Sequence, residues 1–349
     1  MQGAPRQLVA LVVTYNRLDK LKVTLARLLA SDVDALSALV VVDNASTDGT
    51  MAWLDGQTDP RLDVLRSQIN RGGAGGFEWG MRHAMERYDP DWLMITDDDG
   101  RPEPDALTTF HRLDLSRWDA LAAAVYFPSG EICEMNRPSR NPFWHWREFL
   151  GAARRGRNGF HIPHSAYEGD LRPIDVTSFV GFFVSRAAIA RVGYPDGRLF
   201  IYGDDGIYTL GLSKAGGRIA FAPQIRFEHD FTTFAGSGLA KGQRFNPLWK
   251  VYYHHRNLLL LYRLAAGWLF APACLAILPK WLLKARYHGG QRRAFLRLMG
   301  RAILDGLRGR VDVSHAQVLA WAETPSFSDS EYPGESGAAA EARKTVKQD

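Results

Sequence analysis

The stretch Trp92–Gly100 reads WLMITDDDG. Five mostly apolar residues run straight into three consecutive acids, Asp97, Asp98 and Asp99. A short apolar run that ends in polar residues reads as a buried strand, and its polar end as the point where that strand meets water or a ligand. Three adjacent carboxylates repel one another, so something must compensate them. In a surface turn the solvent does so. In a ligand site a hard divalent cation does so, since Mg²⁺ and Mn²⁺ take carboxylate oxygens and use one or two of them beside substrate phosphates. In extended backbone Asp97 and Asp99 point to one side and Asp98 to the other, which predicts two oxygen ligands on one face. The triplet alone leaves both readings open.

The segments before the triplet repeat its pattern. LVALVV (8–13), LVVVD (39–43) and LDVLRS (62–67) read as three more strands. Between them LDKLKVTLARLLA carries apolar residues at helical spacing, STDGTMAWLD offers a cap at Ser46 or Thr47 and a helix start, and GGAGGFEWGMRHAMERY reads as a Gly-rich loop followed by a helix. Strand–helix alternation predicts an α/β fold, a Rossmann-like, mostly parallel sheet flanked by helices. Ligands of such sheets bind beyond the carboxyl ends of the strands. Those ends are TYNR, DNAS, SQINRGG and DDDG, and they are expected to meet at one crevice.

Downstream, residues 127–175 are irregular and rich in Arg, Pro, Trp and His, which predicts an excursion over the surface or a lid. SFVGFFVSRAAIARVG resumes with a strand and a helix, YGDDGIYTLGLSKAG places an acid pair before another helix, and RIAFAPQIRFEHD is a strand that ends at His229. From residue 246 the chain turns aromatic, apolar and basic. Its uncharged run Leu264–Pro279 is 16 residues long, short of the roughly 18–20 that span a bilayer. With Trp268, Phe270 and Trp281 in Leu264–Leu283 and Arg256, Arg263, Lys280, Lys284 and Arg286 in and around the run, the region reads either as a helical subdomain packed on the core or as an in-plane membrane helix with a cationic rim. The expected organisation is a catalytic unit over 1–245, with a donor half 1–127 and an acceptor half 175–245, a helical C-terminal region over 246–322, and a disordered tail over 323–349.

Bulk properties narrow the class. The 349 residues are 46% hydrophobic, ordinary for a folded chain. A net charge of +5, from 43 basic and 38 acidic residues, gives no argument for nucleic acid as partner. Two cysteines, Cys133 and Cys274, form neither a metal-ligand spacing nor a disulfide framework and fit a reducing compartment. The N-terminal apolar run lacks the basic start and cleavage site of a signal peptide, so a cytoplasmic location is expected. No feature addresses the oligomeric state.

VVTYNR, VVDNASTDGT, NRGGAGGFEWGM, ITDDDG, FVGFFVSRAAIARVGYPDGRLFIYGDD and RFEHD occur in that order. In this order they resemble the family 2 glycosyltransferases, inverting enzymes of GT-A fold that use a nucleotide-diphospho-sugar. The resemblance covers Leu8 to Asp230, with VYYHHRN as a further echo, and is greatest to bacterial galactofuranosyltransferases, with rhamnosyltransferases using dTDP-rhamnose next. It implies that Thr14 and Asp43 hold the nucleotide base, where a carboxylate can accept the imide N–H of uracil. It places Arg71 and Gly73 beside the diphosphate, together with Asp97 and Asp98. It implies Asp97, Asp99 and His229 as ligands of Mn²⁺ or Mg²⁺, and an imidazole ligand favours Mn²⁺. Asp205 takes the position of the catalytic base and Asp204 that of a neighbour binding the acceptor. Ile207 and Gly211 stand where many members carry an acid and an Arg, a departure that touches acceptor recognition.

The function so implied is metal-dependent transfer of galactofuranose from UDP-galactofuranose to a lipid-linked or cell-envelope glycan, peripherally at the inner face of the plasma membrane. The competing classes are a nucleotidyltransferase, which would need a Gly-rich loop with Arg and Lys after the first strand where VTYNRLDK stands, and a non-catalytic glycan-binding module, against which the acids at 97–99 and 205 argue.

Overall fold

In the first strand, odd and even positions serve two different cores. Val9, Leu11 and Val13 pack with Val40, Val42, Phe77 and Met81 on one face, and Leu8, Ala10 and Val12 with Leu21, Leu25, Leu28 and Val41 on the other. A strand buried on both faces needs an unbroken apolar run, which is why these segments show no polar alternation. The computed structural model describes residues 6–230 and 244–323. Among them a nine-stranded sheet contains β1 Leu8–Thr14, β2 Ala38–Asp43, β3 Leu62–Arg66, β4 Trp92–Asp97, β5 Gly100–Pro102, β6 Ala120–Tyr126, β7 Arg172–Ile174, β8 Phe182–Ser185 and β9 Ile219–His229. The spatial order is β3-β2-β1-β4-β8-β6-β9-β5, with β7 also paired to β9.

The first four strands are parallel, as the alternation predicts. Beyond β4 the sheet is mixed: β8 runs antiparallel to both β4 and β6, and β5 and β7 antiparallel to β9. The expectation of parallel pairing therefore holds for the first half and for β6 with β9, while the remaining pairs are antiparallel. The second half contains the short strands β5, β7 and β8, whose direction local sequence does not encode. Helices α1 Leu18–Leu29, α2 Thr50–Asp55 and α3 Gly72–Tyr88 connect the parallel strands; α4 Ala106–Arg112, α5 Trp146–Arg155, α6 Arg186–Val192 and α7 Asp204–Lys214 follow. The α2 cap lies later than expected: Gly49 precedes the first turn, and Asp48 Oδ1 accepts from Thr50 N.

The glycine run is helix, not loop. Gly72 begins α3 with φ of +72° at a place where a Cβ would lie 2.1 Å from the Phe200 carbonyl oxygen. Gly76 and Gly80 lie one and two turns on, where a Cβ would meet Val13 at 2.6 Å and Leu11 at 2.4 Å. The four-residue spacing is a close-packing stripe that lets α3 lie directly on β1, and it brings the start of the helix to the sheet's carboxyl edge.

Helices α8 Lys250–Ala266, α9 Phe270–Leu283, α10 Arg292–Arg308 and α11 His315–Ala322 have a core of their own, built on Tyr252, Tyr253, Trp281, Phe295, Leu298 and Met299. That separate core supports our proposal of a unit boundary near residue 245. The rest of the expected tail, 324–349, lies outside the described residues. Trp281, expected at an interface, is instead buried, packed against His255.

Candidate active site

Parallel register aligns the strand ends: Thr14 lies opposite Asp43, Asp43 opposite Arg66, and Val13 opposite Asp97. The chain builds β1, β2 and β3 outward in one direction and then returns to place β4 on the other side of β1. The reversal falls between Thr14 and the acid triplet, where open α/β sheets hold their ligands.

The triplet itself does not stay extended. β4 ends at Asp97 and the backbone turns through Asp98 and Asp99, so the predicted alternation of faces fails. Asp98 and Asp99 are both buried and both face the Arg17 guanidinium, whose Nη1 lies 3.0 Å from Asp98 Oδ1 and 2.7 Å from Asp99 Oδ2. Thr14 Oγ1 donates to the other oxygen of Asp98 at 2.8 Å. Within the protein, then, the crowding of carboxylates is compensated first by Arg17, which the sequence reading passed over. Its signal was TYNR itself, a basic residue three positions past the end of β1. Burial pushes Asp98 up to about 6 in spite of Arg17. Burial also works to raise Asp99, but the His229 and Arg17 interactions hold it below the ordinary carboxylate value. For Asp97, burial and then the Asp99 charge outweigh the opposing charge of His229 and raise it well above that value.

Asp99 and His229 meet because β5 follows the triplet at once and pairs with β9, setting Gly100 opposite His229. His229 Nε2 lies 3.2 Å from Asp99 Oδ1, and its Nδ1 lies 2.8 Å from Asn136 Oδ1. A side-chain carbonyl oxygen accepts, so Nδ1 donates to Asn136 and Nε2 is the ring nitrogen that faces Asp99. A hydrogen-bonded outer nitrogen of this kind orients metal-binding histidines. Bonds of about 2.0–2.2 Å meeting at a right angle separate neighbouring ligand atoms by about 3 Å. The oxygen–nitrogen pair thus fits two adjacent positions around one divalent cation. Among the described residues no three His, Cys, Asp or Glu side chains come together as a metal-holding set. Of the expected trio, Asp99 and His229 are in contact, while Asp97 stays at the end of β4 and feels the charges of both. Asn136, in the irregular stretch after β6, was not anticipated; nothing in its local sequence marks it.

At the other expected positions, Asp43 is fully buried. One oxygen accepts from Ser46 N at 2.9 Å and the other, Oδ2, has no partner. An unpaired buried carboxylate oxygen at a strand end suits an N–H donor from a ligand. Asn44 ties the next loop down, accepting from Arg71 N and donating to Asn70 Oδ1 and the Gly72 carbonyl. Arg71 is exposed with its guanidinium over Trp79, and a Cβ at Gly73 would meet nothing within 4 Å, so both border open space.

Asp204 and Asp205 open α7 behind Gly203. Asp205 Oδ1 accepts from Gly206 N at 2.6 Å. Neither acid caps the helix from the N-cap position, which is glycine. Burial raises both above the ordinary carboxylate value, and for Asp204 the neighbouring Asp205 charge adds to it. Asp204 also acts electrostatically on Asp97, so of the two it is the one that shares a field with the triplet. The site residues of β1, β2, β4, β9 and α7 therefore converge at one edge, with a carboxylate–imidazole contact at Asp99–His229 and raised carboxylates at the start of α7.

Residues 9–174 match the model of glycosyl transferase family 2. The chain is 34% identical over 197 residues to galactofuranosyltransferase GlfT1 of Mycolicibacterium smegmatis, covering 56% of this chain and 62% of the relative. It is 32% identical over 208 residues to the GlfT1 of Mycobacterium tuberculosis, covering 56% and 61%. The chain thus spans about three-fifths of the length of these curated relatives. A crystal structure of GalNAc-T7 with UDP, GalNAc and Mn²⁺ superposes with a TM-score of 0.51 at 12% identity, covering 74% of this chain and 48% of that one. The fold is that of the GT-A glycosyltransferases, with a helical C-terminal region.

Proposed function

We propose that this chain, which carries a glycosyl transferase family 2 domain over residues 9–174, is an inverting galactofuranosyltransferase using UDP-galactofuranose and a lipid-linked or cell-envelope glycan acceptor. The observation that carries the reading is the Asp99–His229 pair at the strand edge, with His229 held by Asn136. Its identity to galactofuranosyltransferases supports the sugar. Thr14 and Asp43 take the base end of the donor, with Asp43 Oδ2 receiving the uracil imide, and Arg71 and Gly73 border the diphosphate. Mn²⁺ or Mg²⁺ held by Asp99 and His229 would supply Lewis-acid neutralisation of the leaving diphosphate. Asp205 takes the proton of the acceptor hydroxyl as that oxygen attacks the anomeric carbon, and Asp204 orients the acceptor. The expected outcome is UDP release from UDP-galactofuranose that requires Mn²⁺ or Mg²⁺ and an acceptor, and that exceeds any turnover of dTDP-rhamnose. No metal-dependent turnover of either donor would overturn the reading; preference for dTDP-rhamnose would reassign the sugar.

We place the acceptor at a membrane surface. The helical run from Lys250 holds an 18-residue window of mean hydropathy 1.7, only 22% of it buried. The run is broken at Gly267, where φ is +54°. Just past the break Trp268 is 87% exposed, with Leu275 and Leu283 also exposed. Exposed Lys280 and Arg286 lie on the same stretch. Apolar side chains with a cationic rim fit the face of an anionic bilayer. Anionic vesicles are expected to bind the protein at low salt, and binding is expected to weaken as salt shortens the screening length toward about 8–10 Å. Replacing Lys280 and Arg286 by Gln removes about 1 kcal/mol per charge near the surface. Indifference to such vesicles at low salt returns this face to a contact within or between proteins.

A further inference from the structure

The two acids of α7 depend on a turn whose backbone is unfavourable. Phe200 and Tyr202 hold φ of +67° and +70°, and Gly203 holds +75°, immediately before Asp204. Left-handed backbone is costly for residues with a side chain, and it persists only where surrounding contacts impose it. Here they come from α8. Asn257 is fully buried, and its Nδ2 donates to the carbonyls of Leu199, Ile201 and Tyr202 at 3.0, 2.9 and 2.8 Å. Its Oδ1 accepts from Arg256 Nε at 2.8 Å. Arg256, also fully buried, donates from Nη2 to the carbonyls of Arg198 and Leu199 at 3.2 and 3.0 Å. The guanidinium lies 5.2 Å from the ring centres of both Tyr252 and Tyr253. Among the described residues no carboxylate pairs with it, and its Nη1 has no hydrogen-bond partner. Burying a charge with an unpaired N–H opposes folding, so stability alone does not account for an Arg here.

The same turn touches the donor side. The Phe200 carbonyl accepts from Ala74 N at 3.1 Å, and Gly72 lies against it so closely that no Cβ fits. One turn therefore joins the start of α3, bordering the diphosphate, to the start of α7.

We propose that Asn257 and Arg256 are positioning residues: together they clamp the 198–203 turn so that α7 begins at Asp204 and its carboxylates reach the crevice in register with the start of α3. This rests on the transferase reading for its effect on turnover but not for its effect on the turn. Asn257→Asp keeps the shape of the side chain and puts an acceptor where three carbonyls need a donor. Arg256→Lys keeps the charge and loses the planar fork. The experiment reads amide hydrogen exchange over 200–206, metal-dependent UDP affinity, and kcat and KM for donor and acceptor. In Asn257→Asp the amides of 200–206 are expected to exchange faster than those of β1 and β4, and kcat to fall about 10²-fold, as for small misplacements of reacting groups. UDP affinity and donor KM are expected to stay within about twofold, a smaller change than the loss of any direct contact would give. Arg256→Lys is expected to change in the same sense and less, and it serves alone if Asn257→Asp does not fold. Exchange over 200–206 unchanged in the folded variants overturns the clamp. So does a fall in UDP affinity equal to the fall in kcat, the mark of general loosening. If the parent turns over no nucleotide sugar, the transferase reading fails, while the exchange data still decide the clamp.

Discussion

Asp205→Asn is expected to leave nucleotide diphosphate binding intact and to slow sugar transfer by about 10²–10⁴-fold, the usual contribution of a positioned general base. The amide has the shape of the acid and its oxygen can still accept from Gly206 N, now 2.6 Å from Asp205 Oδ1. What it cannot do is take a proton. Asp204→Asn is expected to act mainly on the KM for acceptor. A severe Asp204 variant beside a mild Asp205 variant would move the base by one residue, an outcome that the field Asp204 shares with Asp97 makes worth measuring.

The acid limb of the kcat profile follows from the same carboxylates. Burial raises Asp205 above its ordinary value of 3.8, so the base is protonated, and transfer slow, at pH values where an exposed aspartate is already ionised. In Asp205→Asn that limb is expected to vanish. The sign for stability is opposite. A carboxyl whose folded-state pKa is raised favours the folded state while it is neutral, and that contribution is lost as pH rises through the raised value. Asparagine removes the cost of ionisation, so above that value Asp205→Asn is expected to melt no lower than the parent. Lower activity with equal or higher melting temperature separates a catalytic role from a structural one.

Strands β1, β2 and β4 were legible because a strand buried on both faces has to be apolar along almost its whole length, and β3, half-buried at the sheet edge, because its apolar residues are interspersed with polar ones; their polar ends located the crevice. The acids at 97–99 and 204–205 and His229 were legible as residues, but their grouping was not. Which oxygen faces what depends on the turn at Asp98, held by Thr14, Arg17 and Thr24, and on the pairing of β5 with β9, both settled by contacts far apart in sequence. Arg17, Asn136, Arg256 and Asn257 act through hydrogen bonds to residues dozens of positions away, and a lone Arg or Asn in sequence carries no mark of its partners. Gly72 and Gly76 read as a loop ahead of the helix that holds Gly80, because periodicity of small residues reports how closely a helix packs only once its neighbour is known.

Asp99→Ala is expected to remove the divalent-cation dependence of nucleotide diphosphate binding, leaving affinity in the presence of Mn²⁺ at the level of the metal-free parent. In the proposed site Asp99 Oδ1 and His229 Nε2 hold the cation, and loss of the carboxylate leaves the imidazole of that pair. Because Asp99 is 2% exposed and also pairs with Arg17 at 2.7 Å, alanine costs fold stability as well, since breaking a buried pair strands its partner. The loss is tempered here, as Arg17 keeps Asp98 at 3.0 Å and is itself partly open to water. Asp99→Asn serves as the companion variant: it retains the shape and an acceptor oxygen for Arg17 but gives up the negative charge that a hard cation requires. A third variant grades the series. Asn136→Ala removes the acceptor that fixes His229 and is expected to weaken Mn²⁺ affinity by about 10–100-fold, the range for outer-shell partners of metal ligands. Calorimetry of UDP with and without Mn²⁺, below each variant's melting temperature, reads all three. Equal Mn²⁺ dependence in the parent and in both Asp99 variants would assign the triplet to Arg17 alone, as the anionic half of an internal ion pair. An Asn136→Ala effect as large as that of Asp99→Ala would mean that the orientation of His229, rather than the charge of Asp99, governs the site.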